Sequence, residues 1–400
     1  MFKGVKYTIL RSRDIVVPTM DNLGSMQPRG IVGRTLDFVP EELEIEETEL
    51  SSAQRNDLRR DPRTRAIAPA MPMKLITPVE SKVVTTSPGG NTWGIEAVGA
   101  ANCSFDGSGI TVAVLDTGIE PTHPAFTGVD LVQRNFTSES DNDLNGHGTH
   151  CAGTIFGRDV DGTRIGVARG VKRALIGKVL GQNEGSSTTI AQAIQWALNE
   201  GAHVISMSLG IDFPGAVKFL VESQGLEIPE ATSIALESYR ANINLFGELS
   251  RFVEAQGSLL GQGTIIVAAS GNESRRPKYE IAVAPPAAST GIISVGALQK
   301  SSTGGLSVAY FSNDQVNISA PGVDVISAWL GCGLRSLNGT SMATPHAAGV
   351  AALWGQRLLE ATGSVNHQIL RARLIASGRI SPLSVDQEPD DIGAGIVQAP

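Results

Sequence analysis

Residues 173–210 read RALIGKVLGQNEGSSTTIAQAIQWALNEGAHVISMSLG, and this stretch decides the fold. "RALIGKVLG" and "AHVISMSLG" are short apolar runs closed by glycine, the pattern of buried strands. Between them, "TTIAQAIQWALNEG" spaces its apolar residues at helical intervals and ends on glycine. The same alternation extends in both directions. "GITVAVLDTGI" (109–119) lies upstream; "GTIIVAASGN" (263–272), "GIISVGAL" (291–298) and "VNISAPG" (316–322) lie downstream. A long helical pattern, "TSMATPHAAGVAALWGQRLLEAT" (340–362), comes near the end. Strands alternating with helices imply an α/β fold: a doubly wound, mostly parallel sheet with helices on both faces. In such sheets, sites form at the carboxyl ends of the strands.

The chain has 400 residues, more than one hydrophobic core usually serves, so a large domain with a smaller companion is expected. Residues 1–80 differ from the rest, being rich in charge and containing "PEELEIEETEL" (40–50). "LSSAQRNDLRRDP" (50–62) reads as a short helix with a serine near its cap, and "TRAIAPAMPMKLI" (64–76) as an extended segment interrupted by prolines. The polar, Ser/Thr/Pro/Gly-rich residues that follow suggest a linker over 81–92 and a main domain over 93–400. A formal charge of −8 argues against nucleic acid or an anionic membrane as the main partner. No apolar run is long enough to span a bilayer, and charges interrupt the first 18 residues where a signal peptide would be continuous. The expected location is therefore the cytoplasm, or outside it by a route that needs no recognisable signal peptide. Three scattered cysteines form neither a disulfide framework nor a zinc site.

Asp116 ends "TVAVLD" and precedes Thr117-Gly118, at a strand end where an active site is expected; an Asx-turn is the alternative. His147 and His150 sit in "NGHGTHCAGT", with glycine on both sides of His147. Their spacing lacks the glutamate of a zinc helix, so His150 reads as structural and metal as the lesser reading. Ser341 stands among small residues in "NGTSMATPH", where it either caps a helix or exposes its hydroxyl at the positive end of the helix dipole. Pro345 is expected within the first turn, since an interior proline costs about 3 kcal/mol. Asn272 in "VAASGNES" is a turn asparagine or a carboxamide donor. Taken together, these residues supply a nucleophile, a general base, an anion to orient the base and an oxyanion donor.

In that order, "VAVLDTGIEPTHPAF", "NGHGTHCAGTIFG", "SMSLG", "VAASGN" and "NGTSMATPHAAGVAAL" resemble the successive signatures of subtilisin-like serine proteases. The resemblance covers residues 93–400 and implies Asp116, His147 and Ser341 as a catalytic triad with Asn272 in the oxyanion hole. It also implies that Ser208, Leu209 and Gly210 pair with the substrate on one side, with Leu180 and Gly181 on the opposite rim. A peptide held between two strands gains main-chain hydrogen bonds, which suits protein or peptide substrates. Glu273, near the pocket, would suit basic residues.

"GHGTHC" is similar to the proteinase K-like branch and puts Cys151 one helical turn after His147, beneath its ring. Mercurials should therefore inhibit, and the substitution Cys151→Ser should remove that inhibition; an unchanged response would refute the placement. The chemistry needs no cofactor. Calcium, common in the family, would have "SESDNDLNGHG" and "DQEPDDIG" as its carboxylate-rich stretches, with a solvated loop as the plainer reading. The family usually has one helix where residues 211–262 suggest two, either capping the cleft or forming an outer layer. "DLRRDPRTRAIAPAMPMKLI" (57–76) resembles the end of a subtilase propeptide, which implies that residues 1–80 are a folding aid and inhibitor, with cleavage within 78–92. Two rival readings remain at this level: a specialised maturation protease or peptide ligase, and a catalytically silent peptide-binding module.

Overall fold

The computed structural model describes residues 6–13, 42–83, 89–182, 185–260, 262–302, 304–384 and 387–400. The chain begins with β1 (Lys6–Ser12), β2 (Leu43–Glu49), α1 (Ser52–Arg60) and β3 (Thr64–Pro69). These strands form an antiparallel sheet in the order β2-β1-β3. Ser51 caps α1: its hydroxyl accepts from Gln54 N, while the Gln54 side chain accepts from Ser51 N. Next come β4 (Lys74–Leu75), β5 (Glu80–Val83), β6 (Gly90–Asn91) and α2 (Trp93–Ala97). The expected linker over 81–92 is thus partly strand, because β5 pairs with a hairpin far along the chain; residues 84–88 lie outside the described ones.

The main body runs through β7 (Thr111–Asp116), β8 (Asp130–Asn135), α3 (His147–Phe156), β9 (Thr163–Arg164), β10 (Arg173–Lys178) and α4 (Ser187–Asn199). It continues with β11 (Val204–Met207), β12 (Leu209–Gly210), α5 (Phe213–Gln224), α6 (Ile228–Leu260) and β13 (Ile265–Ala269). Then follow β14 (Ile293–Lys300), β15 (Leu306–Val308), β16 (Ile318–Pro321), β17 (Val325–Trp329) and β18 (Gly333–Asn338). Helices α7 (Thr340–Thr362), α8 (His367–Ala376) and α9 (Pro389–Ile392) close the chain. The central sheet has the order β15-β14-β13-β11-β7-β10-β8, with β16 also on β14. Its pairs are parallel except β14 with β15.

Alternation along the strands sends neighbours to opposite faces. Val112 and Val114 pack with Ala152 of α3 and Ala347 of α7, whereas Ala113 and Leu115 pack with Ile190 of α4 and Leu249 of α6. The sheet is therefore covered on both sides, as expected of a doubly wound α/β fold.

The small N-terminal sheet lies on the α4/α6 layer. Leu10, Leu43, Ala66 and Ala68 are buried in the same cluster as Ile194, Leu245 and Leu249. Three polar bonds reinforce this packing: Thr8 Oγ1 to Thr188 Oγ1 (2.7 Å), Gln195 Nε2 to Leu43 O (2.6 Å) and Asn242 Nδ2 to Pro69 O (3.0 Å). The two inserted helices differ. α6 buries Leu245, Phe246, Leu249 and Val253 as an outer layer, while α5 buries no residue and borders the cleft described next.

Candidate active site

Asp116 closes β7, and His147 opens α3. The approach is close because both elements carry glycine there. A Cβ on Gly148 would meet Gly118 O at 2.2 Å, and Gly146 caps α3 with φ 93°. His147 Nδ1 donates to Asp116 Oδ1 at 2.7 Å, and Thr117 N donates to the same oxygen at 2.8 Å. Both side chains are about 1 % exposed. Burial works against the charged imidazole, but the Asp116 carboxylate and the Cys151 sulfur beside the ring together outweigh it and hold His147 well above the usual histidine value. Burial also pushes the Cys151 thiol up.

Asp143, indistinguishable in sequence from the acids around it, is buried and fastens these pieces together. Its Oδ1 accepts from Thr117 Oγ1 (2.9 Å), Asn145 N (3.0 Å) and Gly146 N (2.8 Å), and its Oδ2 from Thr149 N (3.0 Å) and Oγ1 (2.7 Å). It thereby ties the residue after Asp116 to the turn before His147. His150 faces away: its Nε2 lies 3.0 and 3.1 Å from Val325 O and Arg335 O, and burial pushes its pKa down to about 3.

Ser341 is the second residue of α7 and is fully buried. Pro345 is the sixth, in the second turn rather than the first as expected. Its missing N–H leaves the Ser341 carbonyl without the usual helical donor. Ser208 Oγ (3.2 Å) and the Cys151 thiol (3.5 Å) donate to that carbonyl instead. The thiol is also 3.7 Å from His147 Nδ1, so Cys151 lies against both the histidine and the serine backbone.

Asn272 Oδ1 accepts from Thr340 N and from Thr340 Oγ1, each at 2.9 Å, which fixes the amide and aims Nδ2 across the cleft. Gly339 keeps this approach open, since a Cβ there would lie 3.0 Å from Asn272 Nδ2.

The cleft is filled by the chain itself. β4 pairs antiparallel with β12, setting Leu75 opposite Leu209 and Lys74 opposite Gly210. Ile76 N donates to Ser208 O at 3.3 Å, and Ile76 O accepts from Ser341 Oγ at 2.8 Å. The next carbonyl, Thr77 O, accepts from Asn272 Nδ2 at 3.0 Å. Val79 N then donates to Asn338 O at 2.8 Å, and β5 continues along β18. The residues against Ser341 are thus 76 and 77, upstream of the 78–92 window in which cleavage was expected.

On the opposite rim, Met73 N donates to Gly185 O (3.0 Å), Ser187 N to Met71 O (3.0 Å) and Ser187 Oγ accepts from Met71 N (3.1 Å). Gly185 and Ser187, rather than the expected Leu180 and Gly181, carry those bonds. Leu180 contributes its side chain, buried with Met71 and Met73, and Gly181 lies against the Glu139 carboxylate. The glycine-serine run after the rim strand was the available signal. Glu273 borders the cavity beside Ile76, and its Oε2 accepts from Asn313 Nδ2 at 2.8 Å.

Carboxylates in both acidic stretches have protein partners, while Asp386 lies outside the described residues. Lys178 Nζ donates to Ser140 O and Asn142 O, both at 2.8 Å, and pairs with Glu139 at 3.2 Å. A lysine ammonium therefore sits among the oxygens that a calcium ion would need, and these residues do not fit such an ion. In the second stretch Asp391 pairs with Arg276. Among the described residues, the one cluster of metal-capable groups is Asp116, His147 and Cys151, already described.

The family model of the subtilase family matches residues 107–389. The chain is 36% identical over 285 residues to M-protease of Shouchella clausii (strain KSM-K16), an alignment covering 70% of this chain and 63% of that relative. It therefore spans less than two thirds of the M-protease. With Subtilisin Savinase of Lederbergia lenta the identity is 37% over 272 residues, 66% of this chain and 84% of the relative. With alkaline serine exoprotease A of Vibrio alginolyticus it is 30% over 342 residues, 82% of this chain and 54% of the relative. The chain belongs to the subtilase family.

Proposed function

We propose that this protein is a serine endopeptidase that hydrolyses peptide bonds in proteins through an acyl-enzyme, made in a latent form. The observation that carries the reading is the strand of its own chain lying in the cleft, with main-chain bonds to β12 and the Ser341 hydroxyl on Ile76 O. A cleft that binds an extended backbone through its amides and carbonyls suits a polypeptide substrate.

In this reading Ser341 Oγ attacks the scissile carbonyl and His147 Nε2 takes its proton. Asp116 fixes the Nδ1–H tautomer and stabilises the imidazolium that forms. Asn272 Nδ2 receives the negative charge on the tetrahedral oxygen. His147 then returns the proton to the leaving amine, and water releases the acyl group by the same steps in reverse. No metal is needed, because the proton and the charge each have a protein group to receive them.

Residues up to Ile76 act as an inhibitory pro-region. Ile76–Thr77 is the bond to be cut: the register with β12 runs unbroken to Ile76, and Thr77–Pro78 is a tertiary amide with a crowded ring nitrogen. After incubation at neutral pH, a fluorophosphonate probe should label wild type at Ser341. A chain that has lost its N-terminal region yet takes no label would revive the silent peptide-binding reading. Hydrolysis is preferred to the ligase reading, whose distinguishing feature would be the inserted segment beside the cleft, and product mass separates the two.

A further inference from the structure

We propose that Asp212, the residue that opens the inserted helix α5, selects a basic side chain two residues before the scissile carbonyl. This rests on the endopeptidase reading and deepens it by naming a substrate preference. The pro-region strand serves as the template: Ile76 carries the carbonyl facing Ser341, so Lys74 stands two residues upstream, opposite Gly210. Along an extended strand, residues two apart share a face. Residues 74–79 line a cavity of about 410 Å³ that Asp212 also borders. Lys74 Nζ lies 3.1 Å from Asp212 Oδ2.

The carboxylate is prepared for this contact. Its Oδ1 accepts from Gly215 N at 2.9 Å as the helix cap, which fixes the side chain and leaves Oδ2 toward the strand. Gly215 makes the room, since a Cβ there would lie 2.1 Å from Asp212 Oδ2. Two other charged residues line the cavity, and both are engaged locally: Glu273 with Asn313, and Arg275 with Asn272 O and Ser274 O. Both partners of the pair are partly in water, with Lys74 62% and Asp212 33% exposed. The preference is therefore a matter of about two- to five-fold in kcat/KM, shrinking as salt is added.

The test uses the processed enzyme with internally quenched peptides containing Met-Xaa-Leu-Ile-Thr, where Xaa is Lys, Gln or Glu. Wild type should cleave the Lys peptide about two- to five-fold faster than the Gln peptide, with Glu slowest. Asp212→Asn, which keeps the cap acceptor and loses the charge, should flatten the series, and Asp212→Lys should favour Glu. Each comparison is a ratio within one variant, so a loss of stability does not imitate it. Hydrolysis of all three peptides at equal rates by wild type would overturn the assignment of Asp212. Hydrolysis of none would instead sink the endopeptidase reading on which it rests.

Discussion

A Ser341→Ala chain keeps its full 400 residues at neutral pH, while wild type sheds an N-terminal fragment ending at Ile76; intact mass against time reads both. The alanine removes the hydroxyl that faces Ile76 O at 2.8 Å and should leave the fold intact, because that hydroxyl is the only group lost. Once its N-terminal region is removed by another protease, its kcat on an added substrate should fall by a factor on the order of 10⁶, the magnitude known for the nucleophile of subtilisin itself. The site of cleavage tests the register as well. A fragment ending at Thr77 would mean that the carbonyl held by Asn272 is the reacting one. A cut within 78–92 would mean that the strand slides before it reacts. If the alanine chain were processed like wild type, Ser341 would not be the nucleophile.

Asn272→Ala should be the next most damaging substitution, lowering kcat by about 10²–10³ with KM little changed, as removal of this donor does in subtilisin. The reason is that Nδ2 acts most strongly on charge that exists only at the transition state. Here the asparagine has a second duty, since its Oδ1 accepts from both Thr340 N and Thr340 Oγ1 beside the nucleophile. Comparison with Thr340→Val, which keeps the N–H bond to Asn272 and loses only the hydroxyl, separates the two. A loss in the valine chain as large as in the alanine chain would assign the effect to orientation of the helix start. Steady-state kinetics on a chromogenic peptide give both constants.

Much of this was legible in the sequence where the physics is local. A buried strand followed by an amphipathic helix fixes the parallel sheet, and Asp116, His147 and Ser341 each stand at an element end marked by glycine or small residues. What escaped depended on distant partners. Residues 80–83 look like linker because their polar composition says nothing of β18, some 250 positions away, which supplies their hydrogen bonds. Asp143 reads as one acid among several, and its role exists only once Thr117 and Thr149 are brought to it. Pro345 was misplaced by a turn because a proline in the second turn costs little when Ser208 and Cys151 can serve the freed carbonyl. Gly185 and Ser187 escape a reading of the sequence because a rim's pairing residues depend on where the loop turns back.

The shared core beneath the N-terminal sheet has a consequence for how activity would appear. Leu10, Leu43, Ala66 and Ala68 are buried in one cluster with the α4/α6 layer, and none of that burial depends on the peptide bond at residue 76 being intact. Hydrolysis converts a tethered occupant into an untethered one of nearly the same complementarity, so scission and release are separate events. Release then obeys mass action: a concentrated solution of cut chains stays silent while a dilute one wakes, and the threshold is the dissociation constant of the fragment.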